Sequence, residues 1–199
     1  MGAALRVAVV GRRSADTGAA VALAELVGAE LCRAGHTVLV SFGYGVAAAA
    51  LRAAADQSAC GYGPPPAAFA AHHNGRVLVG GLLREMDEHL ARWHGAGQIR
   101  WHYTEPGYRP PEFRSVLAAH CDAMVIIDGL VRGGAAIEAA HAAALGRLVF
   151  VPAGVPGDDV AGHTLPARLL ADAAARPFLN PAGLCAELAA LPTVVGEGA

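Results

Sequence analysis

Lysine is absent. All 15 basic residues of this 199-residue chain are arginine, which excludes at once a Walker-A lysine, a Schiff-base lysine and a pyridoxal anchor. GC-rich coding is a plain source for arginine-only, alanine-rich usage, so the observation bears on which chemistry is missing. Cysteine is sparse: Cys32, Cys60, Cys121 and Cys185 have no C-x-x-C spacing and no close histidine pairing. They read as reduced core or surface thiols, with neither a metal site nor a disulfide framework. Nothing in the sequence requires a metal or a cofactor. Long apolar runs are missing too. The opening MGAALRVAVVG is only a strand long and has no cleavage pattern, so a cytoplasmic location without a membrane partner is expected. A net charge of −2 gives no global attraction to nucleic acid or anionic lipid.

What is present is core. A hydrophobic fraction of 54% against 16% charged suits a globular chain with a buried sheet, and the length suits one domain over residues 1–199. The organising stretch is Ala123 to Ala144, AMVIIDGLVRGGAAIEAAHAAA. Its short apolar run predicts a central parallel strand covered on both faces. Asp128-Gly129 ends the strand, and Gly133-Gly134 opens a helix with Glu138 in its first turn. Free N–H groups and the positive dipole end make that mouth a seat for phosphate.

The same pattern recurs. Leu5 to Val10 predicts a strand, Gly11 to Gly18 a loop, and Ala19 to about Ala34 a helix with Gly35 as its C-cap glycine. Thr37 to Val40 predicts a second strand, followed by Ser41-Phe42-Gly43-Tyr44-Gly45 and a helix to roughly Gln57. Residues 58–74, with prolines at 64–66, read as a surface insertion or lid. Val77 to Val79 predicts a third strand ending in Gly80-Gly81, Leu82 to His94 an amphipathic helix, and Ile99 to Tyr103 another strand. Glu112 to His120 should be helical, and Leu148 to Val151 a strand after a helix capped by Gly146. Two short helices, near Leu165–Ala175 and Ala182–Leu191, precede a frayed tail at 192–199. The expected architecture is α/β, a Rossmann-like doubly wound sheet, mainly parallel, with helices on both faces.

Four glycine-bearing loops then fall on one sheet edge, which points to a nucleotide or sugar-phosphate site. Each glycine alone could serve a tight turn. The first loop is not G-x-G-x-x-G, and no acidic residue closes the second strand, so a standard dinucleotide dehydrogenase is not expected. Candidate ligand contacts are Gly11, Arg12 and Ser14 after the first strand, Gly43, Tyr44 and Gly45 after the second, and Asp128, Gly133, Gly134 and Ala135 in the organising stretch. Arg12 and Arg13 are candidate phosphate contacts, Tyr44 could stack on a base, and Asp16 could cap the following helix. Asp128 could bind a ribose or simply make the turn. His141 would share a helix face with Glu138, as a second acid–base group or a core or rim histidine; His72-His73 reach a ligand only if 58–74 is a lid.

The order VAVVGRRS, VSFGYGVAAAA, GRVLVGG, PPEFRSVLAAHCDAMVII, GGAAIEAAHAAALGRLVFVP resembles the SLOG superfamily over roughly residues 5–154. That group takes in the LOG phosphoribohydrolases, DprA/Smf proteins and relatives that bind nucleotide-derived ligands. The resemblance implies that Arg114 and Glu138 stand where LOG enzymes keep their arginine and the glutamate of PGGxGTxxE. Those groups act on the N-glycosidic bond of a nucleoside 5′-monophosphate. The chain departs from that pattern at Ala135, in place of threonine, and at Val131-Arg132-Gly133, in place of PGG. Chemically, N-glycosidic cleavage builds positive charge on the sugar, which a carboxylate can stabilise, attack or attack through water. Glu138 could otherwise be a first-turn charge favoured by about 0.3–1 kcal/mol, and Arg114 a solvated surface arginine. The resemblance further implies a homodimer and a small-molecule nucleotide or nucleoside phosphate as ligand. The leading reading is hydrolysis or transfer at the N-glycosidic bond. The alternatives are a DprA/Smf-like single-stranded DNA-binding protein and a non-catalytic nucleotide sensor or carrier. Nucleic acid is the less expected partner, because no basic stripe interleaves with aromatics.

Overall fold

A computed structural model describes residues 3–12, 18–41, 45–70, 72–73, 76–77, 100–103, 116–154 and 164–191. Strand β1 (Arg6–Val10) starts on an exposed arginine and continues as four buried residues. Val7 and Val9 join the hydrophobic cluster on one face of the sheet, Ala8 and Val10 the cluster on the other. Helix α1 (Ala19–Arg33) follows, burying Ala20, Ala24, Val27, Gly28 and Leu31 along one stripe at helical spacing. It ends where expected: Gly35 takes φ +85°, while Gly35 N–H donates to Cys32 O and His36 N–H to Leu31 O, both at 2.9 Å. That is a Schellman closure, which satisfies the last carbonyls.

Strand β2 (Thr37–Ser41), helix α2 (Val46–Ala59), strand β3 (Ala67–Ala70), and the short β4 (His72–His73) and β5 (Arg76–Val77) come next, then β6 (Arg100–Tyr103) and β7 (Ala123–Ile126). Residues 116–120 are helical. Helix α3 (Gly134–Ala144), strand β8 (Leu148–Pro152), helix α4 (Leu165–Ala171), strand β9 (Arg176–Phe178) and helix α5 (Pro181–Ala189) complete the described chain. Seven strands form one sheet in the order β6-β3-β2-β1-β7-β8-β9, every pairing parallel. One cluster joins α1, α2 and α5 to one face; the other joins residues 116–118, α3 and α4 to the opposite face. The expected doubly wound Rossmann-like α/β fold is present, and among the described residues no helix is long and apolar enough to cross a membrane.

Three expectations are corrected. Residues 58–74 contain β3, an interior strand between β2 and β6; Ala-Ala-Phe-Ala after three prolines carries little β-propensity, so the strand signal was hidden. Of the stretch GRVLVGG, read as a strand at Val77 to Val79, the described Arg76–Val77 pairs antiparallel with His72–His73 in a ribbon separate from the main sheet, and Leu78 and Val79 lie outside the described residues. Its Gly80-Gly81, like the tail at 192–199 and the helix placed at 82–94, lies outside the described residues. Strand β9 falls in what read as a linker between helices, because Pro177 masks it; proline is tolerated in a strand at a sheet edge.

Small residues set the layer spacing. A methyl on Gly28 of α1 would overlap the Ala50 carbonyl of α2, so the two helices touch backbone to backbone. Gly28→Ala is therefore expected to destabilise the chain by about 1–3 kcal/mol, read from chemical denaturation. His36 gives a second expectation. It is 3% exposed, its Nδ1 accepts from Leu5 N–H at 3.2 Å, and burial lowers its pKa from the ordinary 6.5. The unfolded chain then takes up the proton more readily. This contribution is fully present above 6.5 and is lost as pH falls through the depressed folded value. Denaturation midpoints measured down to about pH 5 should fall in the wild type, and more weakly in His36→Asn.

Candidate functional site

The strand order reverses at β1: β2 and β3 lie on one side, β7 and β8 on the other. In open α/β sheets a crevice opens at such a point, beyond the carboxyl ends of the strands. Residues after β1 and β7 line it here, and the two connections are tied together. Arg12 Nε donates to Asp128 Oδ2 at 2.6 Å, and Asp128 Oδ1 accepts from Gly129 N–H at 2.6 Å. Next to this, Ile127 N–H donates to Val10 O at 2.9 Å. Asp128 is 3% exposed, so its charge is neutralised inside the fold by a residue 116 positions away. Both open roles of Asp128 are thus refined: it makes the turn, and it holds Arg12.

Three helices reach this edge without a side-chain cap. α1, α2 and α3 begin after Gly18, Gly45 and Gly133, and none has a side-chain cap hydrogen bond. Gly45 takes φ 63°, a conformation that favours glycine. The outer helices differ: Thr164 Oγ1 accepts from Ala167 N–H at 3.4 Å and Asn180 Oδ1 from Gly183 N–H at 2.8 Å. Uncapped N-termini leave donors and positive dipole ends available to an anion.

The glycines divide by role. A methyl on Gly11 would lie 2.6 Å from Val46 Cβ, so Gly11 lets α2 pack over the end of β1. A methyl on Gly134 would meet nothing within 4 Å, so the mouth of α3 is open there. Gly129 sits under the first turn of α3, where a methyl would come within 3.1 Å of Ala135 Cβ and 3.3 Å of Leu165 Cδ2. Ala135, 8% exposed, therefore has its side chain in a packing contact, and only its backbone faces the question of ligand binding.

Glu138 is not in the first turn of α3. The helix starts at Gly134 and has no acidic residue in that turn, which makes Glu138 its fifth residue. It is 6% exposed and belongs to the sheet-facing stripe Ala135, Glu138, Ala139, Ala142. A solvated charge resting on the helix dipole does not describe it. A carboxylate buried along an otherwise all-alanine stripe is costly to desolvate, and α3 packs against β7 and β8. His141 is exposed and does not share that face.

Arg114, Arg13, Ser14, Asp16, Gly43 and Tyr44 lie outside the described residues. His72 and His73 lie in the β4–β5 ribbon. Sequence reasoning missed Thr164. It is 3% exposed and bridges Leu130, while Leu165 N–H donates to Gly129 O at 2.8 Å; together these wall the loop after β7. The signal was available as a threonine just ahead of Leu-Pro, a helix start with proline in its first turn.

No protein-family model and no curated protein matches the chain. Solved structures do. DNA processing protein A from Streptococcus pneumoniae superposes with a TM-score of 0.66 at 17% identity, covering 92% of this chain and 62% of that one. The chain thus spans less than two thirds of the pneumococcal protein. DNA processing protein A from Helicobacter pylori, described with a single-stranded DNA binding mode, gives 0.66 at 16%, covering 92% and 80%. The molybdenum cofactor carrier protein from Chlamydomonas reinhardtii gives 0.60 at 16%, covering 94% and 96%. These are likenesses of fold.

The two glycines give opposite expectations. Gly11→Ala should destabilise by about 1–3 kcal/mol, since Val46 is β-branched and stiff. Gly134→Ala should leave stability unchanged or raise it by up to about 1 kcal/mol through helix propensity. Thermal melts of the two variants check both.

Proposed function

We propose that this SLOG-fold chain binds a nucleotide or nucleoside phosphate in the switch-point crevice, with Glu138 acting at the N-glycosidic bond of that ligand. The observation that carries the reading is Glu138 itself: 6% exposed, in the second turn of a helix whose mouth is open and uncapped. The uncapped starts of α1, α2 and α3 and the guanidinium of Arg12 supply donors for a phosphate. Glu138 brings a carboxylate to the sugar. As the bond between C1′ and the base nitrogen breaks, positive charge grows on the sugar ring. Glu138 would offset that charge, water would add at C1′, and the base would leave with the proton, giving free base and sugar phosphate. The resemblance assigns Arg114 to orient this substrate.

A second reading has its own support. The fold match to the molybdenum cofactor carrier protein runs over nearly the whole of both chains, and a carrier would use the same crevice without breaking a bond. Single-stranded DNA stays a ligand class to test because of the likeness to the DNA processing proteins, although the net charge of −2 weighs against a binding mode built on phosphate neutralisation. Pairing into a homodimer is part of the same proposal.

The deciding experiment incubates the chain with a panel of nucleoside 5′-monophosphates and measures free base by chromatography. Wild type should release base from at least one member. Glu138→Gln should release it more slowly by about a hundredfold or more while still binding the compound. Gly134→Ala, which is expected to cost no stability, should weaken binding by narrowing the mouth of α3. Thermal stabilisation by a nucleotide without base release would replace the glycosidase reading with the carrier.

A further inference from the structure

Arg12 and Asp128 are unequally buried: the arginine side chain is 39% exposed and the aspartate side chain 4%. The joint between them runs through Nε of Arg12, while the second carboxylate oxygen is held by the Gly129 N–H. Asp128 is thus held by its own turn, and the Nε end of the Arg12 guanidinium by Asp128. Joining β1 to β7 does not need this pair, because four residues of each strand already pair in register. A buried carboxylate is costly unless it is paired and hydrogen-bonded, so what it does to the half-exposed arginine calls for a reason.

We propose that Asp128 is a positioning residue for Arg12: it sets the plane of the guanidinium so that its exposed part meets the anionic group of the ligand in the crevice between β1 and β7. This rests on the reading of that crevice as the seat of a phosphate-bearing ligand. A guanidinium grips a phosphate by its planar, forked geometry, so the orientation of the plane matters as much as the charge. Anchoring at Nε, the root of the fork, removes the rotation that a free arginine would have to give up on binding. Asp128 touches no ligand in this scheme.

The sign of the effect separates this role from simple electrostatics. Asp128 brings a negative charge toward an anion, so by charge alone its removal tightens binding. By positioning, its removal weakens binding. Calorimetric titration of the full chain with inorganic phosphate and with nucleoside 5′-monophosphates, on wild type, Asp128→Asn, Arg12→Gln, Arg12→Lys and the double variant Asp128→Asn/Arg12→Gln, reads the difference. Asp128→Asn and Arg12→Gln should each weaken binding of the same compound by about tenfold or more. The double variant should be no weaker than Arg12→Gln alone, since Asp128 acts through Arg12. Arg12→Lys keeps the charge without the fork and should bind as poorly as Arg12→Gln.

Unchanged or tighter binding by Asp128→Asn overturns the proposal, and so does an additive loss in the double variant. Should Asp128→Asn fail to fold, Arg12→Lys decides: wild-type affinity there means no fixed plane is used, and the proposal falls. Failure of the underlying reading looks different. A wild type that binds no member of the panel removes the phosphate seat and the positioning role together.

Discussion

β1 is hydrogen-bonded to β2 along one edge and to β7 along the other, and its side chains are buried on both faces. This double pairing is the constraint from which the rest of the architecture follows. Parallel strands require crossovers, and crossovers keep one hand. Chain that leaves β1 toward β2 therefore lays α1 and α2 on one face, and chain that leaves β7 toward β8 lays α3 on the other. The connections diverge above the junction of β1 and β7, the point at which open α/β sheets form a ligand crevice.

Small side chains make the layers close. α1 and α2 meet at Gly28 and Ala50, and α2 reaches the end of β1 only because Gly11 leaves room for Val46. The alanine richness that looks like a coding bias thus has a structural use: α2 buries six alanines, and α3 presents alanines to the sheet at Ala135, Ala139 and Ala142. Against that background the buried acids stand apart. Asp128 has a partner in Arg12 and a turn to close. Glu138 interrupts the alanine stripe of α3 just behind the open mouth.

Much of the fold was legible in the sequence because its signals are local. Continuous apolar runs marked β1, β2, β7 and β8, helical spacing marked α1, and Gly35 and Gly146 stood just past the ends of their helices, where the φ values of +85° and +68° favour glycine. The strands that escaped were β3, built from alanine and one phenylalanine, and β9, carrying Pro177. Their residues have weak intrinsic preference, and they are strands because a neighbouring strand offers its edge. GRVLVGG shows the opposite: its apolar run suits a central strand, yet the described part of it, Arg76–Val77, pairs in a separate ribbon.

For the candidate site, residue types and their order along the chain raised Gly11, Arg12, Asp128, Gly133, Gly134 and Glu138 as candidates, because glycines after strands and a lone acid in an alanine helix are local patterns. Their roles came from long-range packing. The bond from Arg12 to Asp128 spans 116 positions, the contact of Gly11 with Val46 depends on where α2 lands, and the burial of Glu138 depends on which face of α3 meets the sheet. Local sequence carries hydrogen-bonding capacity and conformational preference. Which groups meet, and which lose their water, follows from the order in which parallel strands assemble, and that order is a property of the whole chain.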